Sequence, residues 1–202
     1  MKSLLLVITI FLSLYSCLAQ PNSDTTKFKI DIPILRDGSP SVFYSIDQEL
    51  VNRFSLDNLQ NGFDSIQIRI WFDHSNYSFQ KLIVLKRVKE TWTADLYIIE
   101  WNVYDYIGTL KITNQGTLSP RNGWNVFISK LFSLQITTLP NMDNIPGLWD
   151  DWLDGKSYSF EIATKTQYRF YSYHLPEHFQ EFWQAKNVLQ ILKLIEEELG
   201  IK

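Results

Sequence analysis

Asp150, Trp152, Asp154, Gly155 and Glu161 have the spacing closest to a known chemistry in this 202-residue sequence. Asp at the first and fifth positions, Gly at the sixth and Glu at the twelfth match an oxygen-ligand calcium loop. Trp152, however, stands where a ligand oxygen is required, and Ser157 stands where an apolar residue belongs. Glu161 also falls within a predicted strand. The stretch therefore predicts an acidic surface loop closing in an Asp-Gly turn, and no metal or other cofactor is expected.

Ser157 and His174 form a second pair. The hairpin predicted below places them opposite each other, and a Ser–His contact is half of a nucleophile–base relay. The sequence offers no third group to orient the His, no oxyanion hole and no Gly-x-Ser-x-Gly elbow, so a solvated cross-strand pair is expected. His174 and His178 are four apart, but Pro176 between them prevents a shared helical face. With His74 they are the only histidines, too few and too scattered for a zinc site.

Seven tryptophans and ten tyrosines suggest a binding surface, because these side chains bury large areas at low entropic cost. Trp124 and Trp183 fall on helical apolar stripes and are expected in the core. Trp71 lies on the polar-alternating face of its strand, and Trp149 and Trp152 flank acidic residues in a loop. These three are the candidates for exposure, and Trp149, Asp150, Trp152 and Asp154 form the candidate ligand site.

The elements that must position these groups follow from periodicity. Lys156 to Ala163 and Tyr168 to His174 alternate with period two around Thr164-Lys165-Thr166-Gln167. An even loop pairs Ile162 with Arg169, Phe160 with Tyr171 and Tyr158 with Tyr173. The opposite face, with Ser157, Ser159, Glu161, Tyr168, Phe170, Ser172 and His174, is expected to be mixed and partly wet. Pro176 is a natural first helical residue. From there an apolar stripe runs through Phe179, Phe182, Trp183, Val188, Leu192 and Leu199 to a stop at Gly200.

Further upstream, Phe28, Ile30 and Ile32 alternate as a strand. Ser45 and Gln48 fit either a capping box for a short helix to Arg53 or an irregular edge strand. Four strands are predicted next: Ile66 to Asp73, Lys81 to Val88, Trp92 to Trp101 and Ile107 to Thr113. Their short links favour an antiparallel meander. Trp124 to Leu134 then reads as a helix. The fold class is α+β: an antiparallel sheet packed against two helices, with an aromatic hairpin before a long C-terminal helix.

The N-terminus speaks to location. Met1-Lys2-Ser3 precedes an apolar run from Leu4 to Leu14, the pattern of a signal peptide. Cys17-Leu18-Ala19 before Gln20 suits an ordinary signal peptidase, giving a signal peptide over 1–19, a tether over 20–27 and one α+β domain over 28–202. Leu14-Tyr15-Ser16-Cys17 is similar to a lipobox, in which Cys17 would be lipidated. Cys17 is the only cysteine, so a mature domain has no disulfide in either case. A net charge of −3 and the absence of any basic cluster in the sequence argue against nucleic acid.

With Asp154-Gly155-Lys156-Ser157-Tyr158-Ser159-Phe160-Glu161 and Tyr168-Arg169-Phe170-Tyr171-Ser172-Tyr173 before a terminal helix, Gly123 to Lys202 resembles small uncharacterised exported proteins and lipoproteins of Bacteroidota-type bacteria. The resemblance is structural and implies neither an activity nor site residues. The sequence thus predicts an exported protein of the periplasm or exterior, or one lipid-anchored to the outer membrane. The role expected is non-enzymatic binding of a protein or carbohydrate of the envelope, with membrane contact only if Cys17 is lipidated. The alternative is a hydrolase-like enzyme using Asp150, Asp151, Asp154 and Glu161.

Overall fold

A computed structural model of the chain describes residues 27–35, 37–74, 79–101, 110–148 and 154–201. The expected signal peptide, Cys17 and most of the expected tether lie outside the described residues. Seven strands form one sheet: β1 (Lys29–Asp31), β2 (Ile66–His74), β3 (Phe79–Val88), β4 (Thr91–Trp101), β5 (Leu110–Leu118), β6 (Lys156–Thr164) and β7 (Gln167–His174). Their order is β1-β7-β6-β2-β3-β4-β5. β2 to β5 form the predicted meander, but β1 pairs with β7 in parallel. The sheet is therefore mixed, not purely antiparallel.

The β6–β7 hairpin has the predicted register, with Phe160 opposite Tyr171 and Tyr158 opposite Tyr173. Its loop is fixed by Thr164, whose hydroxyl oxygen accepts from the backbone N–H groups of Thr166 and Gln167 at 3.3 and 3.2 Å. A threonine turn of this kind holds the loop at an even length, and one residue more would swap the faces of a strand.

One face of the sheet presents Ile68, Ile70, Ile83, Leu85, Tyr158, Phe160, Ile162, Tyr171 and Tyr173 to the main core. It is covered by α2 (Trp124–Ser133), α3 (Trp183–Leu199) and the chain between them. The irregular stretch after α2 is held by the sheet's own hydroxyls. Tyr171 donates to Ile136 O at 2.6 Å and Tyr173 to Pro140 O at 2.9 Å, while Arg169 donates to Leu139 O at 3.0 Å. Buried tyrosines of this type need a partner, and a segment without secondary structure supplies free carbonyls.

The other face differs from the sequence expectation. It is not wet, because α1 (Val42–Arg53) and a 3-10 turn at Leu59–Asn61 cover it. Ser41, not Ser45, caps α1, accepting from the Tyr44 N–H at 3.3 Å. The Ser45 hydroxyl instead donates back to Ser41 O. Tyr44, Leu50 and Val51 are buried beneath the helix, whereas Val42 and Ile46 point outwards. This polarity defeats a simple apolar stripe.

Two further corrections concern the C-terminal helix. Pro176 opens a 3-10 turn (Pro176–His178), not the helix. Leu175 before it adopts φ 44°, a left-handed conformation that breaks continuity with β7. A Cβ on Gly155 would lie 2.6 Å from the Leu175 side chain, so only glycine lets these two chain segments approach. The helix starts at Trp183 and ends at Gly200, whose N–H donates to Glu196 O at φ 71°.

The end of α3 is fastened to the start of α2. Glu198 accepts from the Asn122 side-chain amide at 2.8 Å and from the Asn122 N–H at 2.9 Å, with Lys130 Nζ at 3.5 Å. These bonds, the Asn122 side chain foremost, hold its carboxyl below the ordinary value of 4.5. A depressed carboxyl contributes stability above its unfolded value and loses it as pH falls through the folded one. Acid denaturation followed by circular dichroism should therefore be shallower below pH 4.5 in Glu198→Gln than in the unsubstituted chain.

Candidate functional site

The strand registers define two ends of the sheet. Lys29, Ile66, Arg87, Leu118, Thr164 and Gln167 mark one end; His74, Phe79, Trp101, Leu110, Lys156 and His174 mark the other. At the His174 end, β2 leaves and β3 returns across residues 75–78, and β4 leaves and β5 returns across 102–109. The chain also enters β6 there from residues 149–153. Trp149, Asp150, Asp151 and Trp152 lie outside the described residues. Asp154 is described, and it is exposed at this end.

A tryptophan that the sequence assigned to the core joins it. Trp183 is 49% exposed and is the first residue of α3. Behind it, Phe182 packs on the main core, and a Cβ built on Gly147 would lie 3.8 Å from its ring. Gly147 thereby lies beside Phe182, the residue before Trp183. No signal in the apolar period separates Trp183 from the buried stripe; only the delayed helix start does.

The Ser157–His174 contact forms as predicted, Oγ to Nδ1 at 2.8 Å. Phe43 stacks on the His174 ring at 6.2 Å, and Ser157 is only 5% exposed. With Ser157 covered, the pair tethers β6 to β7.

Glu161, offered by the sequence as an acidic catalytic group, is 1% exposed and saturated with donors. One oxygen accepts from Gln48 Nε2 at 2.7 Å and the Tyr168 hydroxyl at 2.9 Å. The other accepts from Trp71 Nε1 at 3.1 Å and Arg69 at 3.3 Å. Arg69 in turn donates to Asp57 O at 2.7 Å, and Gln60 donates to Gln48 at 3.1 Å. Trp71, expected to be exposed, is 2% exposed for this reason. Its indole N–H is an arm of the network that joins the sheet to α1, and no substrate can reach it. Among the described residues, no group of three or more His, Cys, Asp or Glu converges as a metal set would.

Burial acts on the tyrosines in a common direction. It pushes the Tyr158 hydroxyl up to about 12, with Glu177 adding to the rise, and raises Tyr168, Tyr171 and Tyr173 as well. An acid whose folded pKa is raised contributes stability below its unfolded value and loses it as pH climbs past that value. Above pH 10, tyrosine absorbance should show a cooperative ionisation step coincident with loss of ellipticity. Ionisation of Tyr158, Tyr168, Tyr171 and Tyr173 before any unfolding would contradict their burial.

No family model, curated protein or solved structure matches this chain.

Proposed function

We propose that the protein is an exported binding module of the bacterial envelope that engages a protein or carbohydrate ligand at the His174 end of its sheet. One observation supports this reading: Trp183 is exposed and follows Phe182, whose ring lies beside Gly147. An exposed indole suits sugar stacking or a protein hot spot. The connecting sequences add Tyr77, Tyr104 and Tyr106, side chains of the same recognition class.

The hydrolase alternative is weakened by Glu161, which is enclosed beneath α1 and fully occupied by donors. It retains Asp150, Asp151 and Asp154. Export rests on the N-terminal pattern, and lipid anchoring on Cys17.

The immobilised protein, challenged with arrayed envelope glycans and with envelope proteins, should retain a ligand that is recovered chemically unchanged after prolonged incubation. A cleaved product accumulating with time would replace the binding reading by the hydrolase one.

A further inference from the structure

At the Lys29 end, opposite the proposed ligand end, the β3–β4 and β6–β7 turns flank a cleft of about 850 Å³. Arg87, Lys89 and Lys165 line it, with Asn61 and Ser65 as hydrogen-bonding neighbours and Asp64 as the one acidic wall residue. The sequence showed no basic cluster because these cations come from two separate turns. Exposed Lys27 and Lys29 extend the same surface, since the Lys29 N–H donates to Thr166 O at 3.0 Å and so brings β1 in beside Lys165.

The cleft wall is built on a close approach of backbone that glycine permits. At Gly62, φ is 85°, and a Cβ there would lie 3.0 Å from the Phe28 ring and 3.1 Å from Thr164 O. Lys89 sits at φ 58° in a two-residue turn where Asn or Gly is favoured. A charged side chain is therefore presented at a strained position. Arg87 pairs with Glu90 across an exposed contact, which is weak enough for an incoming anion to displace.

We propose that this cleft binds a phosphate-class anion, with Arg87, Lys89 and Lys165 as its cationic contacts. Arg87, Lys89 and Lys165 outnumber Asp64 and the displaceable Glu90, which leaves the cleft positive on a chain whose overall charge is −3. The guanidinium supplies a planar fork and the ammoniums supply movable point charges. The anion can be free phosphate or the headgroup of an anionic lipid, and the chain enters its fold at this same end.

The test uses the whole chain at low ionic strength, where exposed charges are least screened. Inorganic phosphate is titrated calorimetrically, and co-sedimentation is measured with phosphatidylcholine vesicles with and without phosphatidylglycerol. Arg87→Gln/Lys89→Gln/Lys165→Gln is compared with Lys111→Gln/Lys186→Gln/Lys193→Gln, which removes the same charge from elsewhere. Loss of about fivefold per cation, and about 100-fold for the cleft triple, is expected, with the control triple close to the unsubstituted protein. Saturable phosphate binding would identify a free anion, and binding only to phosphatidylglycerol vesicles a headgroup; either supports the site. No binding to either probe, or equal losses in both triples, would overturn it. Lys89→Gln alone, on an exposed turn, repeats the comparison should the cleft triple fail to fold.

Discussion

Glu161→Ala should destabilise the fold by about 3–5 kcal/mol, because it strands the buried Arg69 guanidinium without its counter-charge. The loss also leaves the Trp71 indole and the Tyr168 hydroxyl without their acceptor beneath α1. Unsatisfied buried donors of this kind cost about 1–3 kcal/mol each before relaxation. Urea denaturation should show a lower midpoint with an unchanged slope, the signature of lost stability in a cooperative fold. Arg69→Met/Glu161→Leu should recover part of the loss, since removing both charges leaves none uncompensated. If Glu161→Ala instead unfolded at nearly the same midpoint as the unsubstituted chain, the network would be incidental to the seating of α1.

Trp183→Ala is expected to weaken ligand binding by about 2 kcal/mol or more, roughly 30-fold, the range of an interfacial tryptophan hot spot. Stability should change far less, because the side chain is half exposed. Asp154→Asn keeps a turn-forming residue before Gly155 while removing the charge, so it isolates the acidic contribution. Titration calorimetry with a ligand recovered from the array distinguishes the outcomes. Equal affinity in Trp183→Ala would remove the aromatic contact from the proposed site.

The hairpin was legible because its information is local. Alternating aromatics and the Thr164 turn fix its register without help from distant residues, and Gly200 marks the end of α3 in the same way. The polar face of the sheet was not legible. Gln67, Arg69, Trp71, Glu161 and Ser159 alternate as a solvent face would, yet all five are buried. What covers them is α1, and α1 hides its role by exposing Val42 and Ile46 while burying Asp47. The parallel β1–β7 contact spans three residues from distant parts of the chain, too short a run for pattern to reveal.

Site prediction failed for a related reason. Trp71 and Glu161 looked accessible because strand alternation cannot show a covering helix. Trp183 looked buried because the apolar period continues upstream of the point where helix formation begins. The basic cleft needed the register itself, which gathers Lys29, Arg87, Lys89 and Lys165 at one end. Among the described residues, no helix is long and apolar enough to cross a membrane.

Hydrogen exchange read by mass spectrometry, with and without the envelope ligand recovered from the array, tests the proposed binding end most directly. Protection should gather in peptides at the His174 end, around Asp154 and from Leu175 to Trp183, and in those spanning residues 75–78, 102–109 and 149–153. The Asn61–Ser65 and Val88–Glu90 segments should exchange unchanged. Protection confined to that opposite end, or spread over α2 with none near Trp183, would contradict the assignment.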